Sequence, residues 1–309
     1  GVGSTVRRDL GIRFDGKRYK GRFFLADVEI DGEPLRSVHF FLPRDGLLGI
    51  FPMDRRNRYR VVGSLPDGLN LSTDAEPSFS DLKQLIDRAV GFDLPVRQCL
   101  WISVFVQRRG LAEQFARQRC FLIGDAAHVH SPIGGQGMNG GLQDAVNLAW
   151  KLAGVVSGRL HPRILYTYQE ERQPVARAVI RATDQAFQLG LWFRGRWSGL
   201  RDRVLARLLP FITGKTRWRQ HLFETAAQLR VSYRHGPLAV HHAAGSRIRS
   251  GDRLPFVPVF DEKAKVHTDL HRWCEKPGFT LLLLGTVSQH HLHIIGQWIR
   301  QQYPRAMHF

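Results

Sequence analysis

A chain of 309 residues that is 43% apolar has enough material for one or two domains with a sizeable core, which excludes a disordered or fibrous class. The 45 Lys and Arg against 27 Asp and Glu give a net charge of +18, but the arginines are scattered rather than blocked. The densest stretch, Arg194–Arg219, interleaves Trp197 and Leu208 as an amphipathic helical surface does, so we read a solvated basic face and no nucleic-acid partner. Three widely spaced cysteines (Cys99, Cys120, Cys274) form neither a disulfide framework nor a metal site, and the apolar run Phe279–Leu284 is too short to span a membrane, so a cytoplasmic protein without a membrane span is expected.

Residues 22–66 predict an antiparallel meander. Arg22–Ile30 alternates, Asp31-Gly32 reads as a hairpin turn, and Arg36–Leu42 returns beside it. Asp45-Gly46 turns again, and Leu47–Met53 pairs with Arg58–Leu65. Ser78–Val90 predicts a helix with Ser78 or Ser80 as its cap and Gly91 as its stop. Gln98–Val106 reads as a strand returning to the sheet.

The organising stretch follows. Cys120-Phe121-Leu122-Ile123 reads as a short buried strand closed by Gly124-Asp125. The glycine-rich loop Gly134-Gly135-Gln136-Gly137-Met138-Asn139-Gly140-Gly141 comes next, then a helix with an apolar stripe at Leu142, Ala145, Val146, Ala149, Leu152, Ala153 and Val156. Glycines before a helix let backbone N–H groups approach a ligand, and the helix N-terminus favours negative charge there. Gly137 is expected to need close backbone approach and a positive φ. Asp125, at the carboxyl end of a strand, is placed to accept hydrogen bonds from sugar-like hydroxyls.

Beyond that helix, Pro162 suits a first helical turn, and Pro174 is expected to kink or divide the helix that contains it. Helical sequence continues to about Leu229, with breaks near Gly195–Ser198 and Pro210. Its Trp- and Phe-rich stripe reads as core or as a homodimer interface. Phe279–Leu284 predicts a buried strand and His290–Gln302 a helix; His290, His291 and His293 lack carboxylate or cysteine partners, so no metal is expected.

Several segments carry a resemblance. Gly124-Asp125-Ala126-Ala127-His128, Pro132, Gly134-Gly135-x-Gly137-x-Asn139 and Gln143-Asp144-Ala145-x-Asn147-Leu148-x-Trp150-Lys151-Leu152 resemble the class A flavoprotein monooxygenases, the FAD-dependent aromatic hydroxylases. Tyr168-x-Glu170-Glu171-Arg172-x-Pro174 resembles a packing segment of that family, and Gly1, Ser4, Val6 and Arg7 match its Asp-Gly-x-x-Ser-x-Val-Arg motif, whose aspartate would precede residue 1. The resemblance implies that Asp125 and Gly124 bind the ribityl chain of FAD. It also implies that Pro132, Gly135, Gly137, Met138 and Asn139 lie against the isoalloxazine ring, with the helix dipole at its pyrimidine end. Gly1, Ser4 and Arg7 would contribute to FAD and NAD(P)H binding, Arg108 or Arg109 would hold a phosphate or carboxylate, and His128 would hydrogen-bond cofactor or substrate or brace the loop. Pro132 and His128 are the expected catalytic positions.

The expected fold is α/β (mixed α+β). Residues 1–14 and 107–160 would form the remainder of a Rossmann-like FAD-binding domain, and 15–106 an inserted antiparallel-sheet substrate domain. Residues 161–235 would form a helical region, and 236–309 part of a thioredoxin-like domain. The opening βαβ unit with its G-x-G-x-x-G loop is absent from these residues, so a fragment, inactive alone, is expected. The resemblance implies that NAD(P)H reduces FAD, that O₂ adds at flavin C4a, and that the resulting hydroperoxide hydroxylates an aromatic or polycyclic substrate. Phe40, Leu42, Phe51 and Met53 would line the aromatic pocket. The alternatives are a non-catalytic, partner-binding remnant or a flavin-dependent halogenase, whose Trp-x-Trp-x-Ile-Pro signature these residues lack.

Overall fold

Two 17-residue strands form the spine of the molecule. β1 (Phe14–Ile30) and β5 (Val96–Ala112) run antiparallel from Phe14 opposite Ala112 to Ile30 opposite Val96. The computed structural model describes residues 1–309 other than 34, 44–45, 54–56, 67–77, 132–134, 136, 193–198, 200–202, 205, 209, 211–213, 243–244, 246, 276–277, 284, 304–306 and 309. With β2 (His39–Phe41), β3 (Leu48–Pro52), β4 (Arg58–Leu65) and β8 (His128–Val129), the two long strands make a six-stranded sheet ordered β2-β3-β4-β1-β5-β8.

This order departs from the expected meander at one point. β1 pairs with β4 and β5, not with the segment after Asp31-Gly32. Phe24, Ala26, Val28 and Ile30 are all buried, and a strand so covered is stabilised by a ladder on both edges. The short β2 goes to the sheet edge instead, and Gly32 still adopts a positive φ of 107° as the chain leaves β1. The β2–β3 and β3–β4 pairings match the sequence reading, and Asp45 of the expected Asp45-Gly46 turn lies outside the described residues.

One face of the sheet is closed by α2 (Phe79–Val90), which buries Leu82, Leu85 and Ile86 against Val28, Ile50 and Val61. Its ends are as expected. Ser78 accepts from Asp81 N while Asp81 accepts from Ser78 N, a reciprocal cap, and Gly91 at φ 84° donates to Asp87 O at 2.8 Å. The opposite face carries Phe23, Leu25, Phe51, Val62 and Phe105, alternating along their strands with the core residues. Phe40 and Phe51 meet edge-on at 5.6 Å above Gly49, where a Cβ would stand 2.8 Å from the Phe51 ring.

A second core joins Ile12, Ala112, Phe115, Leu122, Ala127, Leu148 and Tyr168. Here α1 (Thr5–Asp9), α3 (Gly137–Val156) and α4 (Thr167–Trp192) gather around the lower ends of β1 and β5. The strand expected at 120–123 is shorter: Cys120–Phe121 (β7) folds back on Ala116–Arg117 (β6) through a turn with Gln118 at φ 55°. Leu122 is buried but Ile123 is 43% exposed, because no strand among the described residues lies beside it. α4 runs through Pro174 undivided. Proline removes its own N–H and crowds the carbonyl one turn back, but that preceding turn is anchored by the buried side chains of Tyr168, Glu171 and Arg172.

Residues 258–261 and 266–269 form a hairpin, and Phe279–Thr280 pairs in parallel with Met307–His308 across a helix at Gln289–Gln302. The strand expected at 279–284 is therefore two residues long, and Phe279 is exposed, with the Trp150 ring edge-on to it at 5.8 Å. The expected break near Gly195–Ser198 lies outside the described residues. Among the described residues, no helix is long and apolar enough to cross a membrane.

Candidate cofactor site

The site gathers where three segments distant in sequence converge. Ser4 caps α1 by accepting from Arg7 N at 3.2 Å. Arg7 is 5% exposed, with its guanidinium 4.3 Å from the Phe14 ring centroid. It donates Nη1 to Ala126 O at 2.9 Å and Nη2 to Val2 O. One side chain thus ties the N-terminal segment, with Gly1 at its exposed start, to the Gly124-Asp125-Ala126 turn, so the two predicted cofactor motifs meet. The contacts of Arg7 are to backbone carbonyls and an aromatic face, the work of a clamp.

The turn itself is a short 3-10 helix, Gly124–Ala126. Gly124 has φ 53°, and a Cβ on it would stand 3.7 Å from Gly141 Cα, so glycines on both sides let turn and helix approach closely. Asp125, the middle residue of the turn, is exposed. At the head of α3, Gly135, Gly137 and Met138 are exposed and Asn139 is half-buried. Gly135, not Gly137, adopts the positive φ, 63°, and among the described residues no heavy atom lies within 4 Å of where its Cβ would be. Gly137 is already helical, and a Cβ there would meet only His130 Cε1 at 3.9 Å. The first N–H groups of a 20-residue helix thus face an open, glycine-lined cradle beside an exposed carboxylate. Pro132 lies outside the described residues.

Behind the cradle is a buried polar network that joins His128 to Asp144, Asn147 and Lys151, which the sequence reading left without roles, and to Tyr168, Glu171 and Arg172 of the expected packing segment. Asp144 is fully buried and accepts from His128 Nε2 at 2.6 Å, Gly124 N at 3.0 Å and Arg172 Nε at 2.7 Å. Arg172, also buried, donates further to Gly140 O, Gln143 Oε1 and Tyr233 OH. One turn on, Lys151 Nζ donates to Glu171 Oε2 and Asn147 Oδ1, both at 2.9 Å, and Tyr168 OH donates to Leu122 O at 2.7 Å. Burial pulls the Asp144 carboxyl up, but the hydrogen bond and charge of His128 and the charge of Arg172 outweigh it and hold the group below its ordinary value. Burial lowers the Lys151 ammonium, and Glu171 opposes that only in part. His128 is 4% exposed and stacks on Phe115, so its ring points inward with Nε2 committed to Asp144.

The apolar stripe that marks α3 in the sequence is not its buried face. Leu142 and Val146 are exposed, and Val156 is 86% exposed; Asp144, Asn147, Leu148 and Lys151 face inward. The available signal was the spacing of Asp144, Asn147 and Lys151, three and four apart on one side of a helix, with Glu171-Arg172 downstream to pair them.

The family model described as the FAD binding domain matches residues 1–183. The chain belongs to that FAD-binding family. It is 36% identical over 189 residues, 61% of this chain and 38% of the relative, to an uncharacterised aromatic compound monooxygenase of Bacillus subtilis. It is 34% identical over 249 residues, 80% of this chain and 50% of the relative, to the rifampicin monooxygenase of Streptomyces venezuelae. Among solved structures, the anhydrotetracycline hydroxylase OxyS from Streptomyces rimosus superposes with a TM-score of 0.67 at 28% identity, over 97% of this chain and 57% of that one. The chain spans about half the length of the curated relatives it matches or less. The FAD-binding part of the chain contains α1, the Gly124-Asp125 turn and the cradle at the head of α3, so the family match and the converging segments coincide. The residues present fit the cofactor: the cradle is open where a ring edge would lie, and the adjoining carboxylate is free of the buried network.

Proposed function

We propose that this protein is an FAD-dependent, NAD(P)H-consuming monooxygenase that hydroxylates an aromatic or polycyclic substrate. The observation that carries the reading is the convergence of Arg7, the Gly124-Asp125 turn and the glycine cradle of α3 on one place within the part matched by the FAD-binding family. FAD, when bound, takes reducing equivalents from NAD(P)H and activates O₂ for transfer of one oxygen atom to the ring.

The chain's own residues bind and orient. Asp125 holds ribityl hydroxyls. The N–H groups of Gly137, Met138 and Asn139, with the positive end of α3, stabilise negative charge at the pyrimidine end of the flavin. Gly135 lets the backbone approach. Gly1, Ser4 and Arg7 shape the neighbouring wall, with Arg7 acting through Ala126. His128 positions the turn through Asp144. The sheet face opposite α2, with Phe23, Phe40, Phe51 and Phe105, supplies an apolar wall suited to a planar substrate. Residues 15–106 make the substrate domain, and 236–309 belong to a thioredoxin-like unit, in keeping with the parallel strand pair across the helix at Gln289–Gln302.

The test is purification of the intact protein, identification of its bound chromophore, and measurement of NAD(P)H and O₂ consumption over a panel of phenols and polycyclic aromatics with product analysis. Stoichiometric FAD with substrate-dependent hydroxylation is expected. A protein that binds no flavin, or binds it and oxygenates nothing in the panel, would overturn the reading.

A further inference from the structure

The guanidinium of Arg172 is held from two sides. Three of its contacts lie on the first turns of α3: Asp144 Oδ1 at 2.7 Å, Gln143 Oε1 at 3.1 Å and Gly140 O at 3.2 Å. The fourth comes from beyond the residues matched by the FAD-binding family, where the Tyr233 hydroxyl accepts from Arg172 Nη1 at 3.1 Å. Arg172 is 1% exposed, and a buried N–H left without an acceptor is costly. Tyr233 is itself fixed. Its N–H donates to Gly251 O at 2.7 Å, its carbonyl accepts from Gly236 N at 2.7 Å, and Arg234 pairs with Asp252 across the same two segments. Gly251, at φ 82°, lies so close that a Cβ would stand 2.4 Å from the Tyr233 carbonyl carbon. A second hold comes from the same region. Gln143 turns its carbonyl to Arg172 and donates Nε2 to Gln228 Oε1 at 2.7 Å. Gln228 is 6% exposed at φ 54°, just after the helix Thr216–Ala226, a left-handed conformation that glycine or asparagine adopts more readily. Strain of that kind persists where the surroundings hold the residue, and this side chain is held on α3.

We propose that Tyr233 is a positioning residue of the cofactor site: acting through Arg172, its hydroxyl sets the head of α3, whose N–H groups meet the pyrimidine end of the flavin. This role rests on the FAD reading above. Gln228, acting through Gln143, sets the same turns. Backbone N–H groups placed in advance favour negative charge, and reduced FAD carries more of it at that end than oxidised FAD. Loosening the head of α3 therefore weakens the reduced form more than the oxidised form. A contact that served folding alone would weaken both by one factor.

The experiment compares the intact unsubstituted protein with Tyr233→Phe, Gln228→Gly and, as a control in the other core, Ile86→Val. Oxidised FAD is titrated by its fluorescence, and the reduction potential of the bound flavin is measured against dyes of known potential; together they give the affinity for reduced FAD. The thermal midpoint monitors folding. Tyr233→Phe keeps the ring and loses only the oxygen. Its affinity for reduced FAD is expected to fall about three- to tenfold more than its affinity for oxidised FAD, the range of one hydrogen bond, which lowers the potential by ~15–30 mV for a two-electron couple. Gln228→Gly should lower the potential in the same direction with little loss of midpoint, because glycine adopts the φ of 54° without strain. Ile86→Val should lower the midpoint and leave the potential unchanged. An unchanged potential in Tyr233→Phe would overturn the role of Tyr233, and so would an equal fall in Ile86→Val. Should Tyr233→Phe fail to fold, Gln228→Gly decides: a lowered potential supports the role and an unchanged one overturns it. An unsubstituted protein that binds no flavin overturns the parent reading as well, whereas one that binds FAD with a potential indifferent to residue 233 overturns only this inference.

Discussion

Replacing Asp144 by alanine should be among the most damaging single changes in the chain. The side chain is 0% exposed and holds three donors, one of them the guanidinium of Arg172, itself 1% exposed. Its removal leaves that cation buried without its carboxylate and leaves Gly124 N and His128 Nε2 without their partner. Breaking a buried pair from one side costs about 3–5 kcal/mol. With a urea dependence of ~3 kcal/mol per M, the unfolding midpoint should fall by roughly 1–1.7 M. Asp144→Asn keeps the shape but turns one acceptor oxygen into a donor facing Arg172 or His128 and Gly124, and should cost about 1–3 kcal/mol. Urea titration followed by circular dichroism measures both. An Asp144→Ala protein within about 0.5 kcal/mol of the parent, the range of ordinary surface changes, would refute the argument that this carboxylate braces the cradle. The acid limb gives an independent check. The folded Asp144 pKa lies below its ordinary 3.8, so its contribution is complete above that value and is lost as pH falls through the lower folded pKa. The parent should therefore lose stability more steeply below about pH 4 than Asp144→Asn does.

Three further changes separate cofactor binding from folding. Asp125→Ala removes an exposed carboxylate and should leave the thermal midpoint unchanged while weakening FAD ten- to a hundredfold, about 1.5–3 kcal/mol; full flavin retention through gel filtration would remove Asp125 from the site. Gly137→Val meets only His130 Cε1 at 3.9 Å, so the fold should tolerate it while the branched side chain fills the cradle; a variant that still binds FAD would show that the ring lies elsewhere. Gly110→Ala places a Cβ 2.1 Å from Phe14 Cε1, must displace the ring under Arg7, and should lower stability by about 1–3 kcal/mol; an unchanged midpoint would show that Phe14 swings aside freely.

What the sequence made legible follows from how local each feature is. The cap at Ser78, the stop at Gly91 and the β3–β4 pairing depend on residues near one another in the chain, and they appear as read. The partners of β1 do not. Asp31-Gly32 has good hairpin chemistry, yet β1 is completed by β4 and by a strand that begins at Val96, because burial of Phe24, Ala26, Val28 and Ile30 calls for a ladder on both edges. The inward face of α3 could not be read from its apolar stripe for a related reason. Apolar periodicity identifies the inward face only when the inward residues are apolar, and here they are ions that neutralise one another across α3 and α4. The single apolar run at 120–123 could not reveal how little of it would pair, since pairing depends on neighbouring strands.

The same distinction accounts for why one contiguous motif serves two purposes. Its exposed members, Asp125, Gly135, Gly137 and Met138, are short, flexible or glycine, and none of them can hold its own position. Its buried members, His128, Asp144, Asn147 and Lys151, together with Glu171 and Arg172 of α4, supply the rigidity. Asp144 grips Gly124 N on the turn, and Arg172 grips Gly140 O in the first turn of α3, so the two sides of the cradle are fixed to one ion pair. A site that stabilises charge with backbone N–H groups depends on their being set before the ligand arrives, because N–H groups that had to be ordered on binding would return part of their advantage as entropy. Burying ions is a poor way to stabilise a fold against well-packed hydrocarbon, but it fixes geometry through directional bonds that hydrocarbon cannot make. In this chain the helix therefore turns its polar face inward to hold its own N-terminus still.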